Sequence, residues 1–87
     1  MSKPITLLYF AWLRERIGLA HEEIVLPDDV DTVEALIGYL RARGPRYAEA
    51  LRPHETIRCA INQDFVEAGS RIHANDEVAF FPPVTGG

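Results

Sequence analysis

Eighty-seven residues and 9.8 kDa suffice for one domain, and a chain this short hides little more than ~60% of its unfolded surface, so no deep enclosed pocket is expected. Apolar residues make up 47% and charged residues 25%, which excludes a disordered or collagen-like chain, and no apolar run approaches the ~18 residues needed to span a bilayer. With 9 basic and 13 acidic residues the formal charge is −4, which excludes general nucleic-acid binding, because neutralising phosphates takes clustered Lys and Arg. Residues 5–10 are apolar and partly β-branched and predict a buried strand. Residues 11–17 set Leu13 and Ile17 with Phe10 at helical offsets and leave Arg14, Glu15 and Arg16 to solvent. Gly18 follows where a helix end favours positive φ. A second strand is predicted over 22–26, closed by the turn-rich Pro27-Asp28-Asp29. The main helix comes next. Asp31 or Thr32 caps it, Asp31 with Glu34 resembles a capping-box pair, and Val33, Leu36, Ile37 and Leu40 form one apolar stripe. Arg41 and Arg43 suit the negative end of its dipole. Gly38 costs about 1 kcal/mol inside a helix, and close packing against the sheet is its expected reason. Gly44-Pro45 ends the helix.

Residues 47–51 predict a short helical turn. Residues 57–61 alternate, with Ile57, Cys59 and Ile61 against Arg58 and Ala60. Asn62-Gln63 is a turn, 64–66 a short strand and 68–76 mostly loop. Residues 77–81 form the last strand, with Val78 and Phe80 on one face and Ala79 and Phe81 on the other. The sum is an α+β domain: a mixed sheet of four to five strands packed on one main helix, with short extra helices and one sheet face left open. A domain over 1–81 and an extended functional tail over 82–87 are expected.

The common catalytic constellations are absent. Ser2 and Ser70 sit in no nucleophile-elbow motif, and no glycine-rich phosphate loop occurs. His21, His54 and His73 show no metal-ligand spacing and read as surface or edge residues; no metal site is expected. Cys59, the single cysteine, can form no internal disulfide and reads as a small buried hydrophobe. Asp28, Asp29 and Asp31 read as turn and cap residues, since no calcium-loop ligands follow. The N-terminal run lacks the long apolar region and cleavage site of a secretory signal, so a reduced, cytoplasmic setting is expected.

The final eight residues, Phe80-Phe81-Pro82-Pro83-Val84-Thr85-Gly86-Gly87, carry the chemistry. Pro82 and Pro83 end the strand and stiffen the backbone. Residues 82–87 can reach on the order of 20 Å at ~3.3 Å each. Only hydrogen atoms project from Gly86 and Gly87, so the tip can enter a narrow channel in another protein. It delivers the Gly87 α-carboxylate, which with a usual pKa of about 3.3–3.7 is ionised and a poor electrophile. Activation through a better leaving group, such as an adenylate, would open it to an amine or a sulfur nucleophile. Gly87 is therefore the candidate working residue, with Gly86, Thr85 and Val84 as the inserted tail. Phe81, Phe65 and Phe10 form a candidate partner-contact patch.

Phe10-Ala11 with Arg14-Glu15 and Gly18, then Thr32-Val33-Glu34-Ala35-Leu36 and Ala60-Ile61-Asn62-Gln63, lead to the closing block from Asp76 to Gly87. Together they resemble the small, sulfur-carrying subunits of molybdopterin synthase, over essentially the whole chain. The closing block is the specific part and the helix block is generic. Asn75 stands where that family more often has Gly, and Asn tolerates left-handed backbone. The resemblance implies a ubiquitin-like β-grasp fold. It implies that a ubiquitin-activating-like enzyme uses MgATP to adenylate Gly87 and that a sulfur donor protein converts it to a thiocarboxylate. In complex with the large synthase subunit, the thiocarboxylate then passes sulfur to cyclic pyranopterin monophosphate. It further implies a heterotetramer, catalytic side chains mainly in the large subunit, and no cofactor, nucleic acid or membrane bound by this chain. The tail chemistry leaves three other readings open: a sulfur carrier of the thiamine thiazole type, a modifier joined to lysines, and a binding module with an incidental Gly-Gly end.

Overall fold

The computed structural model describes residues 3–52 and 57–82. Their elements are β1 (Lys3–Tyr9), α1 (Ala11–Ile17), β2 (His21–Leu26), α2 (Val33–Arg41), α3 (Pro45–Ala50), β3 (Arg58–Ile61), β4 (Asp64–Val66) and β5 (Glu77–Phe81). The strands form one sheet in the order β2-β1-β5-β3-β4. β1 and β5 pair in parallel, and every other neighbouring pair is antiparallel. This is the mixed five-stranded sheet of a β-grasp, and each expected element is present with its ends shifted by a residue or two.

Period-two alternation decides which side chains enter the core. Ile5, Leu7 and Tyr9 of β1, Leu26 of β2, Cys59 of β3 and Val78 and Phe80 of β5 are buried on one face. They share one cluster with Leu13 and Ile17 of α1 and Val33, Leu36 and Leu40 of α2. Each such large side chain contributes about 1.5–3 kcal/mol through burial. Ile37, the fourth member of the expected stripe, is half-buried at the flank of the cluster.

The turns carry backbone requirements the chain meets residue by residue. Gly18 closes α1 with φ +90° and donates its N–H to the Arg14 carbonyl at 2.8 Å. Asn62 and Gln63, both at positive φ, form the two-residue loop between Ile61 and Asp64, as a type I′ hairpin demands. Asn62 also joins this hairpin to β5. Its N–H donates to the Glu77 carbonyl at 2.8 Å, its Oδ1 accepts from the Glu77 N–H at 3.0 Å, and its Nδ2 donates to Asp76 Oδ1 at 3.0 Å. Asp76 Oδ2 accepts from the His73 N–H at 2.8 Å, and Asn75, at φ +71°, donates its N–H to the Pro4 carbonyl. The segment from Asn75 to Glu77 is thus tied to both β1 and β3 before β5 begins.

Three expectations need correction or choice. Thr32 caps α2, its Oγ1 accepting from the Ala35 N–H at 3.1 Å. Asp31 instead accepts from Arg71 at 3.0 Å, so the Asp31–Glu34 capping box is not formed; with Thr32 as cap, the box position belongs to Ala35. Gly38 does not pack against the sheet. It is exposed, and a Cβ added there would meet nothing within 4 Å. Gly38→Ala is expected to stabilise the fold by about 0.5–1 kcal/mol through the lower backbone entropy of the unfolded chain. A raised urea midpoint at unchanged slope is the measurement; an unchanged or lowered midpoint would contradict it.

A carboxylate sits on the core side of the sheet at its β2 edge. The Glu22 carboxylate accepts from the Tyr9 hydroxyl at 2.8 Å, the Tyr47 hydroxyl at 2.7 Å and Arg43 Nη1 at 3.3 Å. It ties β2, β1 and the α2–α3 region together. Burial first, and then the Glu22 hydrogen bond, raise both phenol pKa values. Among the described residues no helix is long and apolar enough to cross a membrane.

Candidate functional site

Among the described residues, no helix covers the face of the sheet turned away from α2. Register makes this face almost entirely apolar at its centre. Leu8 pairs with Ala79, Ala79 with Ala60 and Ala60 with Phe65, so one row crosses four strands. The two alanines are too small to fill it, and a shallow depression of about 300 Å³ results, floored by Leu8, Ala60 and Ala79 and walled by Phe10, Phe65 and Phe81.

The three phenylalanines come from separate parts of the chain and meet here. Phe81 lies flat on Phe10, with ring centres 4.6 Å apart and planes 4° from parallel. Phe65 tilts against Phe81 at 5.5 Å and 51°. Phe10 reaches this face because extended alternation continues through it, giving it the parity of Leu8, before the chain turns sharply. Phe10 is still extended at φ −121°, and Ala11 enters α1 at φ +54°, a left-handed conformation that costs a non-glycine residue roughly 1–2 kcal/mol. Phe65 remains 63% and Phe10 39% exposed. Ring stacking of this kind contributes ~0.5–1.5 kcal/mol, yet it leaves much of the cluster in water, the state expected of a surface that a partner covers.

The tail is rooted in this cluster. β5 ends at Phe81, and Pro82 has no N–H with which to continue the ladder. Val84, Thr85, Gly86 and Gly87 lie outside the described residues, as do Pro83, Ser2 and His54. A second hollow of about 410 Å³, lined by Arg16, Arg46, Glu49 and Arg52, opens between α1 and α3. It is larger, but it is lined mostly by charged side chains and set among helices. The open-face depression is the candidate site, because the residue that leads into the tail forms its wall.

The other residues weighed as chemical candidates stand apart from it. Cys59 is buried on the opposite, core-facing side of β3, and burial pushes its thiol up to about 12. His21 is exposed on the edge strand β2. His73 Nδ1 lies 3.9 Å from Asp76 Oδ2. Among the described residues no three His, Cys, Asp or Glu side chains gather as they would around a metal ion.

Two parts of this surface escaped the sequence reading. The floor of Leu8, Ala60 and Ala79 depends on register between distant strands, for which periodicity carries no signal. Arg58, whose guanidinium lies 5.0 Å over the Phe65 ring, was placed on the correct strand face but not recognised as part of the patch.

The family model described as the ThiS family matches residues 7–87, from the middle of β1 to the final glycine. The chain belongs to the ThiS family. This ThiS-family chain is 42% identical over 83 residues to the molybdopterin synthase sulfur carrier subunit of Haemophilus influenzae, covering 95% of this chain and 99% of that one. The Escherichia coli molybdopterin synthase sulfur carrier subunit matches with the same identity and the same coverage. In structure, the ThiS-family chain resembles small archaeal modifier protein 1 of Haloferax volcanii, at a TM-score of 0.71 and 25% identity over 94% of this chain and 99% of the other. The family resemblance read from the motifs therefore holds.

Proposed function

We propose that this protein is the sulfur carrier subunit of a molybdopterin synthase and that its Gly87 carboxylate bears the sulfur. The observation that carries the reading is near-complete alignment, at 42% identity, with proteins of that name. The exposed aromatic cluster at the root of the tail supports it, since a carrier must dock before it can deliver. In the proposed cycle an adenylating enzyme uses MgATP: the Gly87 carboxylate attacks the α-phosphorus, and pyrophosphate leaves. Hydrosulfide released by a donor protein then adds to the acyl carbon, the acyl C–O bond breaks, and AMP leaves. The resulting thiocarboxylate is ionised and far more nucleophilic than the carboxylate it replaces. Bound to the large subunit, it attacks a carbon of the pterin precursor through sulfur, and the oxygen substituent on that carbon leaves with a proton. Water then cleaves the acyl–sulfur bond and returns Gly87 to the carboxylate. In this scheme the present chain supplies the reagent and its placement, while acid–base groups come from the large subunit.

Intact-mass measurement tests the first half. After incubation with the adenylating enzyme, MgATP and a sulfur donor, the chain is expected to gain the mass of one oxygen replaced by sulfur, confined to the C-terminal peptide. The loss of that increment on adding large subunit and pterin precursor tests the second half. A chain that never gains it contradicts the proposal. The likeness to a modifier protein makes the alternative concrete: isopeptide adducts on lysines, without sulfur incorporation, would identify conjugation instead.

A further inference from the structure

Arg58 belongs to the aromatic face as much as the phenylalanines do. It stands directly opposite Phe81 in the β3–β5 ladder, and alternation turns it to the same side as Ala60. Its guanidinium carbon lies 5.0 Å from the centre of the Phe65 ring. Phe65 leans on Phe81 and Phe81 lies on Phe10, so cation and rings form one unbroken row. Arg58 is exposed and, among the described residues, has no ion pair; Arg43, Arg52 and Arg71 are paired with Glu22, Glu49 and Asp31. Of the carboxylates on the same face, Glu23 stands on the far edge strand β2, and Glu77 is four residues down β5 from Phe81, roughly 13 Å at ~3.3 Å per residue. Glu67 follows the last β3–β4 pair, Cys59 with Val66, and makes no ion pair with Arg58 either.

The ring holds one face of the guanidinium and uses none of its five N–H donors, which lie in the guanidinium plane. A protein that covers Phe65 and Phe81 must also cover Arg58. Covering it with apolar surface would leave a buried, uncompensated charge, which is strongly unfavourable. The covering surface must therefore offer acceptors in that plane, and a carboxylate matches the fork with two parallel hydrogen bonds. The chain as a whole carries −4 and so attracts a basic surface. An acidic group set within that basic surface, opposite Arg58, admits one rotation of the docked pair and penalises the others.

We propose that Arg58 is a specificity-determining contact, pairing with a carboxylate of the protein that docks on the Phe10–Phe65–Phe81 face and fixing its orientation. This rests on the reading above, so that protein is the large synthase subunit.

Calorimetric titration of the full chain into the large subunit, at low and at moderate salt, tests it. Arg58→Leu is expected to weaken binding about 30-fold or more, and Arg58→Glu further, because the partner's carboxylate is left unpaired or repelled. Arg58→Lys should retain part of the affinity. One acidic-to-basic substitution on the large subunit should restore binding to Arg58→Glu and to no other variant. Unfolding midpoints matching the native chain show that the variants are folded. Arg58→Leu binding within about twofold of the native chain at both salt concentrations would overturn the inference alone, since that is below the range of a buried charged contact. No binding by the native chain would overturn both the inference and the functional reading beneath it.

Discussion

Removal of Gly87 is expected to abolish sulfur transfer and leave the unfolding midpoint where it was. The two effects separate because the core and the proposed working end are different parts of the chain. The last residues of the buried cluster are Val78 and Phe80, and the tail leaves after the sheet has closed. The truncated chain still ends in a glycine carboxylate, that of Gly86, with unchanged intrinsic reactivity toward adenylation. What changes is reach: the carboxylate retreats by about 3.5 Å. Misplacing a reacting group by as little as ~1 Å can cost ~10²-fold in rate, so a retreat of a whole residue should reduce transfer below detection. Gly87→Ala is the informative companion. It keeps the length and adds one methyl group, so a loss comparable to deletion would mean that the partner's channel closes on the glycine backbone. Single-turnover transfer, read by intact mass beside a thermal melt, gives both quantities from one preparation. Undiminished transfer from the truncated chain would remove Gly87 from the mechanism. A lowered melting point would mean that the tail also contributes to the fold.

Local periodicity made most of this fold legible. The alternation in 77–81 already separated the core-facing Val78 and Phe80 from Phe81, and the stripe of α2 was readable from its spacing. The aromatic patch could be named residue by residue, because Phe81 had the wrong parity for the core. Besides the part Arg58 plays in the patch, three things were not read, for different physical reasons. The small-residue floor under the patch exists only once β1, β5, β3 and β4 are in register, and register is a tertiary property. Gly38 was misjudged although the signal was present: it sits about 200° around the helix from Leu36, on the solvent side, where a missing side chain serves no packing. Glu22 also left a trace. It shares parity with Ile24 and Leu26, so a carboxylate was due to face inward among apolar side chains, and an inward carboxylate requires donors. Those donors, Tyr9, Tyr47 and Arg43, are 13, 25 and 21 residues away, beyond what spacing can connect.

Replacing Glu22 by Leu is accordingly expected to be among the most damaging single changes outside the apolar core. Tyr9 is 1% exposed, and without Glu22 its hydroxyl loses the acceptor it has in the structure. Such an orphan costs about 1–3 kcal/mol, and the hydrogen bonds to a charged acceptor that vanish with it contribute about 1.5–3 kcal/mol each before the gain from the new apolar side chain. A net loss of about 3 kcal/mol is expected, which at ~4–8 °C per kcal/mol for a domain this small lowers the melting point by roughly 12–24 °C. The Arg43 ion pair is a minor part, since that side chain is 36% exposed and exposed pairs contribute little. Two controls separate the causes. Glu22→Gln keeps an acceptor for both hydroxyls and should recover more than half of the loss. Tyr9→Phe introduced into Glu22→Leu removes the orphaned hydroxyl and should be stabilising there, although Tyr9→Phe alone should be destabilising; a double-mutant cycle with no such change of sign would assign the effect to packing. The same network sets an alkaline limit. Both phenols have pKa values raised above the ordinary 10.0 by burial and by Glu22, so the folded state holds protons that the unfolded chain releases first. Their contribution is complete below pH 10 and is lost as the pH rises above it. Tyr9→Phe should flatten that alkaline decline, read as the unfolding midpoint against pH above 10.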